Sequence, residues 1–215
     1  MKTIPIDILK KFHQAKSGTN VVRTYTDKNP LVRWLYWSRL RKMLHLGREV
    51  EGKKVLDLGC GEGVFLPALS EGFAQVYGLD IDTRAAKEVL DYYKLNNVKL
   101  FQNNFFDNSF DDNCFDIVFA ASVLEHFAER DKLFKEIVRL IVPDGYLIFS
   151  SPTETWFYQL GRKIFGYKKP DDHYFSASEI ANTGEKYLRL IDKKYTPFGR
   201  PSLFAAFCIY VFQKG

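Results

Sequence analysis

The chain has 215 residues, of which 46% are hydrophobic and 27% charged, and its net charge of +5 is modest; this composition suits one domain with a full hydrophobic core. No apolar run approaches the roughly 18 residues of a membrane-spanning helix, and the first residues lack the features of a signal peptide, so we expect a cytoplasmic protein. The three cysteines and four histidines lack the spacing of a disulfide framework or a zinc site, which predicts that no metal is bound.

The first 50 residues are the basic part of the chain. They hold eleven Lys and Arg against three Asp and Glu, a charge of +8 that leaves −3 for the remainder. Residues 1–30 are expected to form a loosely ordered arm. Apolar residues at helical spacing over residues 31–44 then predict a basic amphipathic helix that ends near Leu46. This helix either packs beside the sheet or serves as a lid or a contact with an anionic surface.

The central motif covers residues 55–63, where a predicted strand turns into a predicted helix. The strand is apolar except for one acid, Asp57. It is followed by three glycines, Gly59, Gly61 and Gly63. Glycine destabilises regular structure by about 1 kcal/mol relative to alanine. Three of them therefore indicate a sharp turn with positive φ, against which a ligand can lie closely.

A second acid, Asp80, ends the next apolar run. It lies at the distance at which nucleotide-binding βαβ units place a carboxylate on the ribose hydroxyls. The glycine loop differs from the dinucleotide pattern G-x-G-x-x-G, because Val64 stands where the last glycine is required. Glu62 in the loop would repel a pyrophosphate but tolerate a cationic ligand. S-adenosylmethionine, with its sulfonium and ammonium groups, is such a ligand.

Strands and helices alternate from the glycine loop to about residue 150. This alternation predicts an α/β fold with a doubly wound parallel sheet. Beyond residue 150 come an insertion with interleaved aromatic and basic residues, a helix that starts at a capping pattern over residues 176–180, and a closing pair of strands. Further predicted helices cover residues 62–72, 83–94 and 123–140, and the predicted strands include residues 98–101, 115–121, 146–150, 188–195 and 203–212.

Four segments carry a resemblance to a known family. The glycine loop with Asp80, and the runs over residues 114–118, 123–127 and 142–147, follow one another as in the class I S-adenosylmethionine-dependent methyltransferases. They are similar in particular to the branch that includes the small-molecule methyltransferases of ubiquinone and menaquinone type. The resemblance covers about residues 53–151. It implies a Rossmann-like, seven-stranded sheet, mostly parallel with an antiparallel last strand.

The resemblance also implies how the chain is divided. Residues 1–50 would form the basic arm with its amphipathic helix, and residues 51–215 the S-adenosylmethionine-binding methyltransferase domain. Within that domain, an insertion at about 152–175 would cover the substrate. Aromatic and basic residues interleave over residues 156–169, which further suggests a peripheral contact with a membrane.

The roles in cofactor binding are those that the family implies. Asp57 would orient the loop and the methionine part of the cofactor, Asp80 would hold the ribose, and the backbone of Ala121 would receive the ammonium group. Asn104 stands where the family usually has an acid that contacts the adenine amino group, and its amide oxygen can accept that hydrogen bond. The remaining expected contacts are Gly59, Cys60, Gly61 and Gly63 in the loop, and Ile81 and Phe105 against adenine.

Methyl transfer from a sulfonium requires mainly the alignment of nucleophile, carbon and sulfur. A general base matters only for a hydroxyl or an acidic carbon, and His126 and His173 are the catalytic candidates for that role. A structural hydrogen bond is the alternative role for either histidine. For Asn104, the alternative to a contact with adenine is the role of a turn residue. For Ile81 and Phe105, the alternative is a place in the hydrophobic core.

The favoured function is methyl transfer from S-adenosylmethionine to a small, partly apolar acceptor, with S-adenosylhomocysteine as product. Residues 120–123 lack the Asn-Pro-Pro-Tyr or Asp-Pro-Pro-Tyr signature of enzymes that methylate adenine or glutamine, and no Pro-Cys nucleophile for cytosine is present. These features argue against a nucleic-acid acceptor. An RNA or protein methyltransferase that docks through the basic segment stays open, as does a non-catalytic or NAD-dependent binding protein. The sequence leaves the acceptor atom and the oligomeric state open.

Overall fold

A seven-stranded sheet lies at the centre of the computed structural model, which describes residue 4 and residues 24–50, 53–153, 155–164, 166, 174–198 and 205–215. The strands are β1 (Lys54–Leu58), β2 (Gln75–Asp80), β3 (Val98–Gln102), β4 (Phe115–Ala121), β5 (Ile141–Pro152), β6 (Arg189–Thr196) and β7 (Phe207–Gln213). Their order is β3-β2-β1-β4-β5-β7-β6. All pairs are parallel except those of β7, which runs antiparallel to β5 and to β6. The predicted Rossmann-like sheet, with its antiparallel last strand, is confirmed.

Helices cover both faces of this sheet. One face carries α1 (Pro30–Glu49), α2 (Leu66–Gly72) and α3 (Arg84–Tyr93), whose buried residues share one hydrophobic cluster. The other face carries α4 (Arg130–Leu140) and α6 (Ala177–Gly184), which pack in a second cluster. Between them in sequence, α5 (Trp156–Ile164) contacts α1 through Tyr158 and Tyr36.

Strand β4 illustrates why the sheet is buried on both faces. Ile117 and Phe119 point into the cluster of α1 to α3, while Val118 and Ala120 point into the cluster of α4 and α6. All four side chains are fully buried. A parallel strand with helices on both faces is expected to be continuously apolar. Ala121, the last residue of this strand, lies at the carboxyl edge of the sheet.

Two predicted helix starts are wrong. The helix after the glycine loop begins at Leu66 instead of Glu62, because Gly63 still has φ of 75° and the turn is not complete before it. The helix predicted from Val123 is interrupted: Ser122 has φ of 57°, a 3₁₀ turn covers Leu124–His126, and α4 begins only at Arg130. In both places the chain turns sharply at the carboxyl edge before a regular helix can form.

The basic amphipathic helix forms and is longer than predicted. The side chain of Asn29 accepts a hydrogen bond from the amide of Leu31, with Pro30 at the first helical position, so the start of α1 is well capped. Leu40 and Met43 are buried in the core, and α1 thus packs beside the sheet. Residues 5–23 of the predicted arm lie outside the described residues, and the division into arm and domain stays a prediction. Within the described part of the chain, none of the helices has the length and apolarity needed to cross a membrane.

Candidate functional site

The glycine loop connects β1 to α2 at the carboxyl edge of the sheet. Gly59, Gly61 and Gly63 have φ of 70, 50 and 75°, a region that side chains rarely adopt. A Cβ on Gly59 would lie 2.4 Å from Cγ2 of Val123, so the loop packs directly on the segment after β4. Among the described residues, a Cβ on Gly61 would meet nothing within 4 Å. The backbone of Gly61 therefore borders open space, as the sequence predicts for a ligand-binding turn.

Asp80 meets the glycine loop across the edge of the sheet. Its Oδ2 accepts a hydrogen bond of 2.8 Å from the amide of Gly61, and its Oδ1 accepts one of 3.0 Å from the amide of Asp82. The amide of Gly59 donates to the carbonyl of Leu79 at 2.8 Å, which fixes the loop against the end of β2. These bonds hold the Asp80 carboxylate at the mouth of the loop. Each of its oxygens keeps a lone pair for a further donor.

Asp57 lies beneath the loop and is only 2% exposed. Its Oδ2 has no hydrogen-bond partner among the described residues. Burial, and secondly the neighbouring charge of Asp80, raise the pKa of Asp57 to about 8. Buried carboxylates are normally paired or hydrogen-bonded. This oxygen is therefore available to a hydrogen-bond donor or a cation that lies below the loop.

Two other residues of the loop, Cys60 and Glu62, have buried side chains. Cys60 is 7% exposed, and burial raises the pKa of its thiol well above the ordinary value. It is accordingly a neutral side chain that packs inward, and its amide, bonded to the carbonyl of Leu79, is the part that belongs to the loop. Glu62, which the sequence places at the mouth of the loop, is buried as well, with 5% exposure.

The residues predicted to surround adenine are not alike. Ile81 is 73% exposed, so it is not a core residue and its side chain is open to a ligand. Phe105 is 4% exposed and packs against Phe127, so it belongs to the core. Asn104 caps a 3₁₀ turn over Phe105–Asp107, because its side-chain oxygen accepts a hydrogen bond of 2.9 Å from the amide of Phe106. Asn104 therefore has a structural role in this turn, and its contact with adenine stays a prediction.

A buried arginine, Arg39 of α1, reaches the same edge from the side. Its Nη2 donates to the hydroxyl of Tyr25 at 2.5 Å, its Nη1 donates to Oγ of Ser122, and its guanidinium lies 4.6 Å from the ring centre of Phe207. The residue is 3% exposed, and within the described residues no carboxylate lies within salt-bridge distance. Ser122 directly follows Ala121, so a buried positive charge stands beside the predicted ammonium site.

Glu125 forms a second buried polar site on the 3₁₀ turn after β4. It is 1% exposed, its Oε2 accepts a hydrogen bond of 2.6 Å from Oγ of Ser151, and its Oε1 has no partner among the described residues. Burial raises the pKa of its carboxyl, although the bond from Ser151 opposes that shift. His126, the next residue, is half-buried on the same turn. The other catalytic candidate, His173, lies outside the described residues.

Sequence reasoning missed Arg39 and Glu125 as site residues. For Arg39 a signal existed: it lies three residues after Tyr36 and four before Met43, on the apolar stripe of α1 and not on its polar face. Glu125 belongs to a quoted motif, but nothing local distinguishes a buried acid from an exposed one. No group of three His, Cys, Asp or Glu in the described ranges is arranged to hold a metal ion.

The crevice fits S-adenosylmethionine on its own geometry. The glycine loop leaves open space at Gly61, and Asp57 offers an unpaired buried acceptor for the cationic part of the ligand. The carboxylate of Asp80 is held by the amides of Gly61 and Asp82, and each of its oxygens can accept a further hydrogen bond. Arg39 places a positive charge beside Ser122. A ligand with an ammonium group, a carboxylate and a ribose would thus find a counterpart for each group.

Comparisons with known proteins agree with this geometry. Residues 56–149 match a family model described as a methyltransferase domain. The ubiquinone biosynthesis O-methyltransferase of Actinobacillus pleuropneumoniae serotype 7 is 31% identical over 114 residues, which cover 48% of this chain and 47% of that protein. A protein of Mycolicibacterium smegmatis, named a probable S-adenosylmethionine-dependent methyltransferase, is 27% identical over 124 residues, with coverage of 57% and 48%. The chain thus spans about half the length of these curated relatives.

A solved structure extends the likeness to nearly the whole chain. The N-methyltransferase NodS from Bradyrhizobium japonicum WM9, in complex with S-adenosyl-L-homocysteine, superposes with a TM-score of 0.70 at 17% identity. The match covers 96% of this chain and 98% of NodS, and it shows a shared fold. The family match runs from β1 almost to the end of β5, and the fold agrees over the full sheet. This part of the chain is thus similar to the S-adenosylmethionine-dependent methyltransferases.

Proposed function

We propose that the chain transfers a methyl group from S-adenosylmethionine to a small, partly apolar acceptor. The observation that carries the proposal is the meeting of the glycine loop, the unpaired Asp57 carboxyl and the fixed Asp80 carboxylate at one edge of the sheet. When bound, the cofactor supplies a methyl group made electrophilic by the positive sulfonium. Half of each curated relative lies outside the match, so the acceptor is argued from this chain's own residues.

In this proposal the chain's residues bind and orient the cofactor. Asp80 accepts from the ribose hydroxyls while the amide of Gly61 keeps its carboxylate in place. Asp57 lies below the loop and binds the positively charged part of the cofactor. Arg39 binds the carboxylate of the cofactor beside Ala121. Such fixed contacts lower the entropy cost of aligning the reacting atoms, which is the main requirement of this chemistry. Ile81, exposed next to Asp80, provides an apolar surface for adenine.

The acceptor is expected to bind between the ends of β4, β5 and β7. Tyr36, Tyr158 and Phe207 form an aromatic group there, with ring centroids 5.0 Å apart for Tyr36 and Phe207 and 5.8 Å apart for Tyr158 and Phe207. This group favours an acceptor with an apolar part. A polar acceptor group would find Glu125, and His126 and His173 stay candidates for the base that a hydroxyl acceptor needs. The O-methyltransferase relative supports a small-molecule acceptor.

The cellular setting belongs to the same proposal. Cys60, Cys114 and Cys208 are free thiols, which suits a reducing compartment, and we expect the enzyme to work in the cytoplasm. The alternative, an RNA or protein methyltransferase that docks through its basic amino-terminal segment, draws on the +8 charge of residues 1–50. The absence of a nucleobase-stacking signature in residues 120–123 makes it the second choice.

Titration calorimetry with S-adenosylmethionine and S-adenosylhomocysteine tests the proposal. Asp80→Ala should weaken both at least about tenfold, because each charge-assisted hydrogen bond to a ribose hydroxyl is worth roughly 1.5–3 kcal/mol. Asp91→Ala removes an exposed acid on α3 and should leave both affinities unchanged. Unchanged affinity in Asp80→Ala would exclude this site. Methyl incorporation into RNA, with RNA binding that weakens steeply with salt, would favour the alternative.

A further inference from the structure

Helix α5 exposes an apolar face. Trp156, Leu160 and Ile164 are 61, 44 and 67% exposed, and their spacing of four residues places them on one face of the helix. Tyr158, half a turn away, points inward: its hydroxyl lies 3.4 Å from that of Tyr36, and its ring packs against Phe207. The helix is therefore anchored through Tyr158, while Trp156, Leu160 and Ile164 are largely exposed on another face.

Basic residues accompany this face within α5 itself. Residues 155–164 include Arg162 and Lys163 and no acid, and Lys163 is exposed next to Ile164. Helix α1, which α5 contacts, repeats the combination on its own outer side: Leu31 and Trp34 are 52 and 43% exposed, and they are followed by exposed basic residues, Arg41 and Arg48. Apolar side chains mixed with cations match a surface that is both apolar and anionic.

We propose that the exposed face of α5 binds an anionic lipid bilayer. Trp156, Leu160 and Ile164 would enter the boundary between headgroups and acyl chains, a region that tryptophan favours. Lys163 would lie at the level of the lipid phosphates, whose negative charge attracts basic residues. The binding itself is independent of the methyltransferase activity. The same contact would also bring α5 and the neighbouring acceptor region to an apolar acceptor, and this consequence rests on the function proposed above.

A second copy of the chain is the less suitable occupant. A helix of nine residues is about 14 Å long, and three side chains on it cannot supply the roughly 800 Å² per partner of a stable interface. The exposed charge of Lys163 would also face its own copy across a two-fold axis. A bilayer needs neither a large rigid area nor a complementary shape.

Sedimentation of the full chain with lipid vesicles tests this proposal. The protein should pellet with vesicles of phosphatidylcholine mixed with phosphatidylglycerol, and the emission of its tryptophans should shift to shorter wavelength. Pelleting should be much weaker with phosphatidylcholine alone. The double variant Leu160→Gln/Ile164→Gln should bind the anionic vesicles at least about tenfold more weakly, because two apolar side chains no longer enter the interface. Glutamine is also a good helix former, so α5 should persist.

Ile191→Gln on β6 is the matched control, since Ile191 is also half exposed, at 46%, but lies outside α5. It should pellet like the unchanged protein. Calorimetric affinity for S-adenosylhomocysteine should be the same in all variants, so loss of lipid binding is distinguishable from failure of the cofactor site. Three results would overturn the proposal: no pelleting with anionic vesicles, equal pelleting with neutral ones, or equal pelleting of the double variant. A dimer in sedimentation velocity that the double variant abolishes would assign the face to a second copy instead.

Discussion

The carboxyl of Asp57 gives the clearest link between one residue and a measurable property. Its pKa is 3.8 when unperturbed and about 8 in the fold, because burial and the charge of Asp80 both disfavour the ionised form. The folded state therefore holds its proton more tightly than the unfolded state. For a carboxyl shifted in this direction, the stability contribution is largest at low pH. It falls as the pH rises from about 4 towards about 8, and it is constant above that.

The ligand-free protein should accordingly lose stability between pH 5 and pH 8 through this residue. Asp57→Asn keeps the size of the side chain but cannot ionise, so the fall in melting temperature over that range should become shallower. Differential scanning fluorimetry without cofactor measures the melting temperature of both proteins across this pH range. Glu125 also has a pKa raised by burial, and Glu125→Gln therefore serves as the comparison that separates the two contributions. The same slope in Asp57→Asn as in the unchanged chain would contradict the assignment.

At the scale of the element, the glycine loop contains one glycine that packing requires and another whose surroundings are open. Gly59 is enclosed by Val123, whereas Gly61 borders open space, although both have positive φ. A Cβ at Gly61 would therefore meet backbone strain but no atom of the described residues within 4 Å. In the function proposed above, the space that it would fill belongs to the cofactor.

Gly61→Ala should cost only about 1–2 kcal/mol of stability, the strain of a left-handed residue with a Cβ. Its affinity for S-adenosylhomocysteine should fall by at least about tenfold, because the methyl group occupies space that the ligand needs. Chemical denaturation and calorimetry measure the two effects. Gly161→Ala on α5, where a Cβ meets nothing within 4 Å among the described residues and φ is not positive, should leave the affinity unchanged and raise the stability by about 0.5–1 kcal/mol, because alanine is the better helix former. Normal affinity in Gly61→Ala would place the ligand elsewhere.

The elements also show what the sequence can and cannot predict. Strand β4 has the predicted bounds, 115–121, because a strand buried on both faces is apolar throughout. The loop and Asp80 could be predicted because their chemistry is local. The helix predicted from Val123 is wrong, because its apolar spacing is compatible with a 3₁₀ turn, and the turn is fixed by Ser122 and the distant Gly59. Contacts between remote segments leave no local pattern.

At the scale of the whole molecule, Arg39 connects segments that are far apart in sequence. Its guanidinium contacts Tyr25 before α1, Ser122 after β4 and Phe207 at the start of β7. Its burial could not be read from charge alone, since basic residues on a helix are usually exposed. Burying a guanidinium group that has no carboxylate partner lowers the free energy of unfolding. In the function proposed above, the carboxylate of the cofactor would supply the negative charge that Arg39 lacks.

Arg39→Met tests this balance. Methionine has a similar length and fills the space without a charge to desolvate, so the loss of stability should be no more than about 2 kcal/mol. Affinity for S-adenosylmethionine should nevertheless fall at least about tenfold. Arg48→Met, at an exposed position on the same helix, is the control for both measurements. Severe destabilisation with unchanged affinity per folded molecule would assign Arg39 a purely structural role.

The position of β7 between β5 and β6 has one more effect, on the border of the sheet. It leaves β6 as the outermost strand, and four of the eight residues of β6 are charged: Arg189, Asp192, Lys193 and Lys194. An outermost strand offers unpaired amides and carbonyls to any extended peptide, and charged side chains make such pairing unfavourable. The sheet is thereby guarded against growth by strand addition on the side where its parallel order ends.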